Sequence, residues 1–113
     1  MTAPPDPPGA SVAVIVAGDF IGAAIVRRFA AEGFAVHAGR RNGEKLAPLL
    51  GANVTGRSLD AREPDDVTAF LAEAEAIAPL ALVVFNVGAN VHFPLLDTSD
   101  RVFRKVWEMA CFA

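Results

Sequence analysis

Short apolar runs alternate with stretches of helical periodicity from Val12 onward, and this alternation restricts the chain to one class of fold. Val12-Ala13-Val14-Ile15-Val16 is wholly apolar and rich in β-branched side chains, as strands buried on both faces of a parallel sheet are. Gly18 and Gly22 punctuate the next segment. A helix then begins whose inner face is expected to hold Ile21, Ala24, Ile25 and Phe29, with Arg27, Arg28 and Glu32 off it and Gly33 as its stop. Phe34 to Ala38 reads as a second strand, Gly39-Arg40-Arg41-Asn42-Gly43 as a polar turn, and Glu44 to Leu50 as a short helix ended by Gly51. Asn53 to Leu59 is a weaker strand. Pro64 suits a first helical position, and Asp65 and Asp66 meet the positive end of the helix dipole. Val67, Phe70, Leu71, Ala74 and Ile77 keep helical spacing up to Pro79. Ala81 to Phe85 is another buried-type strand and Asn86 to Leu96 a loop. Thr98 or Ser99 caps a last helix with Val102, Phe103, Val106, Trp107 and Ala110.

The resulting order, β-α-β-α-β-α-β-α, predicts a doubly wound, parallel α/β sheet with right-handed crossovers. The two strongest strands are expected side by side and the weak third at an edge, which gives the order 3-2-1-4. With 113 residues, 53% of them hydrophobic and 20% charged, the chain has material for one small domain with a core. Its net charge of −3 offers no general attraction to nucleic acid or anionic lipid. One cysteine, Cys111, leaves no internal disulfide and suits a reducing cytoplasm; local pattern places it in the core. Met1 to Ala10 holds four of the eight prolines and no basic cluster, so it reads as a disordered leader rather than a signal peptide. The longest apolar stretch, Val12 to Val26, contains Asp19 and two glycines and is too short to span a membrane. No Cys/His/carboxylate cluster has metal-ligand spacing.

Ligands of such sheets bind outside the carboxyl ends of the strands, so three loops matter. Ala17-Gly18-Asp19-Phe20-Ile21-Gly22 leads from a buried strand straight into a helix, where free backbone N–H groups face a phosphate and glycine permits its approach; a plain turn that needs small residues for packing reads the same. Arg40 and Arg41 stand where dinucleotide folds read the adenosine ribose: an acid there binds the 2′-hydroxyl and an arginine accommodates a 2′-phosphate. The alternative is a solvated pair of arginines. Asn86-Val87-Gly88-Ala89-Asn90 joins two amides and a small residue just past a strand, as a ligand loop or as a turn that serves its own backbone. His37, inside a strand, and His92, beside Phe93, read as packed residues rather than bases.

Together these residues resemble the N-terminal, cofactor-binding portion of the short-chain dehydrogenase/reductase family, from about Ser11 to the end. Val12 to Asn42 is similar to that family's first βαβ unit, with Gly22 at the last glycine of its phosphate motif and Gly18 at an internal position. The resemblance implies a Rossmann-type fold, an adenine contact for Asp60, a role for Asn86 to Ala89 like that of the Asn-Asn-Ala-Gly motif, and an NAD(P) cofactor bound by Gly18, Asp19, Phe20, Ile21, Gly22, Arg40, Arg41, Asp60, Asn86 and Gly88. Arg40 in place of an acid tilts the choice to NADP. Four positions depart from the family pattern: Val16 and Phe20 replace two glycines, Val87 the second asparagine, and Ala110 the asparagine expected three residues after Trp107.

The family's general acid is a tyrosine in a Tyr-x-x-x-Lys pair aided by a serine, and this chain contains no tyrosine. The expectation is therefore an NAD(P)-dependent oxidoreductase cut short before its catalytic residues. The chain alone is expected to be inactive, to meet a small-molecule substrate only in a full-length protein, and to self-associate. The alternative is a non-catalytic nucleotide-binding or interaction module with a degenerate motif.

Overall fold

The computed structural model describes residues 9–88 and 91–113. The leader expected over Met1–Ala10 lies, apart from Gly9 and Ala10, outside the described residues, as do Ala89 and Asn90. Four parallel strands, β1 (Ser11–Ile15), β2 (Ala35–Arg40), β3 (Val54–Ser58) and β4 (Leu80–Phe85), form one sheet in the order β3-β2-β1-β4. Helices α1 (Ile21–Ala31) and α2 (Pro64–Ile77) cross over it, a 3-10 helix fills Gly43–Leu49, and α3 (Asp100–Trp107) runs into a π-helical turn at Glu108–Phe112. The architecture is an incomplete Rossmann-type α/β fold, with the strand order that the sequence predicts.

Alternation along β1 divides the core in two, because successive strand residues face opposite sides. Val12 and Val14 join Val26 of α1 with Val36, Ala38, Leu46 and Val54. Ala13 and Ile15 face the other way and meet Leu59, Ala61, and Phe70 and Ala74 of α2. Every residue of β1 is buried. His37 of β2 is buried too: its ring stacks on Phe70 at 4.4 Å, with Nδ1 2.7 Å from the Thr55 hydroxyl and Nε2 3.0 Å from Glu73. It is a packed residue, as its strand position suggests.

Several local expectations are corrected. The inner face of α1 is Gly22, Ala23 and Val26, flanked by Ile25 and Phe29, whereas Ile21 is 68% exposed and Ala24 lies outside. The cause is a backbone contact. A Cβ on Gly22 would lie 2.6 Å from both the Ala17 Cα and the Val16 carbonyl oxygen, so the helix turns its side-chain-free residue to the strand end and rotates its neighbours accordingly. Val16, where a glycine is usual in this type of turn, sits at φ 67°, a left-handed conformation that strains a β-branched residue by about 1–3 kcal/mol.

β2 extends through Gly39 and Arg40 because both stay paired with β3, opposite Arg57 and Ser58. Arg40 is thus the last residue of a strand and not part of a turn. The helix after it is 3-10 over Gly43–Leu49, with Pro48, which lacks an N–H, inside it. β4 is less buried than its composition suggests: Leu82, Val83 and Phe85 are 40–50% exposed, since β4 has a partner strand, β1, on one side only. Ser99 caps α3, its hydroxyl accepting from the Val102 N–H at 3.2 Å. α3 itself ends at Trp107, whose ring stacks on Phe112 at 5.4 Å within the π-helical turn. No helix among the described residues is long and apolar enough to cross a membrane.

The contact at Gly22 yields a sharp expectation. In an exposed helix a Gly→Ala change is favourable by roughly 1 kcal/mol, but Gly22→Ala should destabilise the fold by about 2–3 kcal/mol, since only backbone atoms can yield. Gly18→Ala, with nothing within 4 Å of the added methyl, should stay close to neutral. Urea midpoints for the two variants measure the difference.

Candidate functional site

The site is built at the carboxyl ends of β1, β2 and β4. After β1, the first bonds of α1 run from the Ala23 N–H to the Gly18 carbonyl at 2.8 Å and from the Ala24 N–H to the Phe20 carbonyl at 3.0 Å. The N–H groups of Phe20, Ile21 and Gly22 have no acceptor among the described residues, and no side chain caps the helix. These donors, at the positive end of an 11-residue helix, suit an anion. Gly18 has open space around it. The Phe20 ring is 86% exposed, so little of it rests on the loop.

Arg40 is held at the end of β2 with only 15% of its side chain exposed. Its Nη1 donates to Asp19 Oδ1 at 2.7 Å, a bond that ties the loop after β1 to the end of β2. This hydrogen bond and the Arg40 charge keep the Asp19 carboxyl below the usual range. Beside the pair lies a pocket of about 70 Å³ lined by Gly18, Asp19, Ala23, Arg27, Arg40, Lys45, Pro48 and Leu49. Arg27 and Lys45 are additions to the set read from the sequence. Arg27 lies one turn beyond Ala23, and Lys45 lies in the 3-10 helix, so only the folded chain brings them to Arg40.

After β3, Asp60 is clamped by its near neighbour Arg62. Asp60 Oδ1 accepts from the Arg62 N–H and Nε at 3.0 Å, and Oδ2 accepts from Nη2 at 2.9 Å. These bonds take the Asp60 carboxyl down to about 2. Arg62 also reaches Glu108 at 3.7 Å and so links this loop to the π-helical turn. The Asp60 N–H donates to Asp66 Oδ2 at 2.9 Å, which fixes the loop to the start of α2.

After β4, the Asn86 N–H donates to the Ile15 carbonyl at 2.9 Å and its Nδ2 to the strained Val16 carbonyl at 3.2 Å. Asn86 thereby holds the two loops together. Beyond it lies a larger, mainly apolar pocket of about 350 Å³, lined by Arg41, Gly88, Val91, Phe93, Val102, Lys105, Val106 and Met109. The sequence-derived residues therefore divide: Gly18, Asp19 and Arg40 share the small cationic pocket, Arg41 and Gly88 the apolar one, and Asp60 lies apart in its own ion pair. Cys111, expected in the core, is exposed, and so are His92 and Phe93. Among the described residues no group of three His, Cys, Asp or Glu could hold a metal.

The Asp60 clamp has a measurable pH signature. A carboxyl whose folded value lies below its unfolded one stabilises the fold above the unfolded value of about 3.9, and this is lost as pH falls through about 2. Arg62→Ala should return Asp60 toward the ordinary range and flatten the fall of stability between pH 4 and pH 2. Carbon-detected titration of Asp60 and urea midpoints across that window follow both effects.

Comparison with known proteins identifies the family. Residues 11–113 match the family model described as short chain dehydrogenase. The chain is 37% identical over 102 residues to a galactitol 2-dehydrogenase (L-tagatose-forming) of Cereibacter sphaeroides, an alignment covering 87% of this chain and 40% of that protein. It superimposes on a short-chain dehydrogenase from Rhodopseudomonas palustris with a TM-score of 0.86 and 65% identity, over 94% of this chain and 53% of that one. For a variant of actinorhodin polyketide ketoreductase crystallised with NADPH the TM-score is 0.77 and the identity 28%, over 88% and 41% of the two chains. The chain thus spans about half, or less, of the proteins it resembles, and over that span it belongs to the short-chain dehydrogenase family.

Proposed function

We propose that these residues form the dinucleotide-binding half of an NADP-preferring oxidoreductase. The observation that supports this most is Arg40, held at the carboxyl end of β2 beside Arg27 and Lys45 around a pocket of phosphate size. The donor set fits the cofactor. Free N–H groups at the start of α1 would take the pyrophosphate, the open space at Gly18 admits it, and the three cations would take a 2′-phosphate. Asn86 would border the ribose on the nicotinamide side, and Arg41 and Gly88, with the apolar pocket that they line, would border the adenine end. Asp60 would meet the adenine only through an oxygen that Arg62 leaves accessible. The ketoreductase relative was crystallised with NADPH, which supports the same cofactor here.

When bound, NADPH supplies a hydride to a carbonyl, or NADP takes one from an alcohol. This chain's own residues bind and orient the dinucleotide and restrict water at the apolar pocket. Proton exchange with the substrate oxygen needs a group that titrates near it; with no tyrosine among the 113 residues, we assign that step to residues outside them. The substrate is proposed only as an alcohol or carbonyl compound, the class to which galactitol belongs. Family membership weighs against the non-catalytic reading. A cytoplasmic setting fits the single cysteine.

Two measurements test this reading. Arg40→Asp should weaken NADP binding about 10–100-fold, the loss of a charge-assisted contact plus a new repulsion, and leave NAD within about threefold; equal calorimetric losses for both would reject the assignment. The half-exposed β4 edge and the exposed Phe103 and Trp107 of α3 lead us to propose self-association as well. Sedimentation should show dimers or larger species, and a monomer at all concentrations would remove that part.

A further inference from the structure

Asp19 is the one acid lining the small pocket, among residues otherwise neutral or cationic. Its position is unexpected for a site that is to take a phosphate. The carboxylate is 2.7 Å from Arg40 Nη1, in the place where an anionic ligand of Arg40 would sit. The two partners are held very differently. Arg40 keeps 15% of its side chain exposed, wedged at the end of β2, whereas Asp19 keeps 65% exposed on the loop after β1. Their bond is a single one, through one nitrogen and one oxygen. Arg40 is therefore the fixed member and Asp19 the displaceable one.

We propose that Asp19 sets the balance between the two dinucleotides by occupying Arg40 where a 2′-phosphate would otherwise bind. This rests on reading the pocket as the adenosine-ribose site. A ribose 2′-hydroxyl is neutral and can donate to Asp19 while the Asp19–Arg40 pair stays closed. A 2′-phosphate brings a charge of about −1.5 to −2, like other phosphate monoesters, and must displace the carboxylate or share Arg40 with it. Arg27 and Lys45 line the same pocket and offset part of that repulsion. The Arg40 hydrogen bond and the Lys45 charge keep Asp19 ionised, so the competition holds across the neutral range. Arg40 alone thus does not make the site strict for NADP: Asp19 acts against the phosphate that Arg40 attracts.

The test is calorimetric titration of the full chain with NADP⁺ and NAD⁺ for the wild type, Asp19→Asn, Arg40→Ala and the double variant, with Asp19→Ala as a second replacement. Asp19→Asn and Asp19→Ala should tighten NADP⁺ about tenfold while NAD⁺ binds no more tightly and, for Asp19→Ala, more weakly, and the NADP⁺ gain should disappear in the Arg40→Ala background. Equal shifts for both nucleotides, an unchanged or weakened NADP⁺ affinity, or a gain that survives Arg40→Ala would overturn the role of Asp19 while leaving the pocket a ribose site. A wild-type chain that binds neither nucleotide would instead refute the dinucleotide reading itself, and this inference with it.

Discussion

Everything at the carboxyl end of this sheet hangs on one close approach, the backbone of α1 at Gly22 against the end of β1 at Val16 and Ala17. Because no side chain intervenes, the helix starts almost on the strand. Its rotation, the outward placement of its first N–H groups and the left-handed turn at Val16 all follow from that contact. Asn86 then bonds to the carbonyl that the turn exposes, so the loop after β4 takes its position from the same point. The strain at Val16 persists because Gly22 on one side and Asn86 on the other determine its place.

The strands, and their order in the sheet, were legible because β-branched apolar runs have few alternative uses. Helix rotation was not. Periodicity offered Ile21 and Ala24 as readily as Ala23 and Val26, and only a three-dimensional contact at a residue without a side chain decides between them. Arg40 was legible as a cation near the end of the second strand but was misplaced in a turn, since the pairing that prolongs β2 comes from β3, eighteen residues onward. Arg27 and Lys45 were invisible as partners of Arg40, because α1 and the 3-10 helix meet only in the folded chain. Asp60 drew notice through family resemblance alone, and nothing in the pattern disclosed that Arg62 two residues on would take both its oxygens.

A common electrostatic habit links the site to the fold. Charged groups near the strand ends are satisfied inside the chain: Asp19 by Arg40, Asp60 by Arg62, and Arg57 by Glu73 and Asp66 at 2.8 and 2.9 Å. Such pairs add little to stability where they are exposed. What they do is fix which loop lies beside which strand end, and so where the charged side chains of those loops stand. Preorganisation of that kind spares a ligand the cost of ordering those side chains itself.

The unequal burial of the strands has a kinetic counterpart. β1 is bonded on both sides and wholly buried, whereas β4 is bonded to β1 alone and half exposed, and the helix beyond it keeps large apolar side chains in water. Local openings draw on the elements with fewest buried contacts, so amide exchange should be slowest through β1 and β2 and fastest from β4 into α3. The loop after β1 and Arg40 belong to the slow half, and Gly88 with the apolar pocket to the fast one. A dinucleotide would then anchor its phosphates on a rigid floor, with the segment that borders its adenine breathing around it.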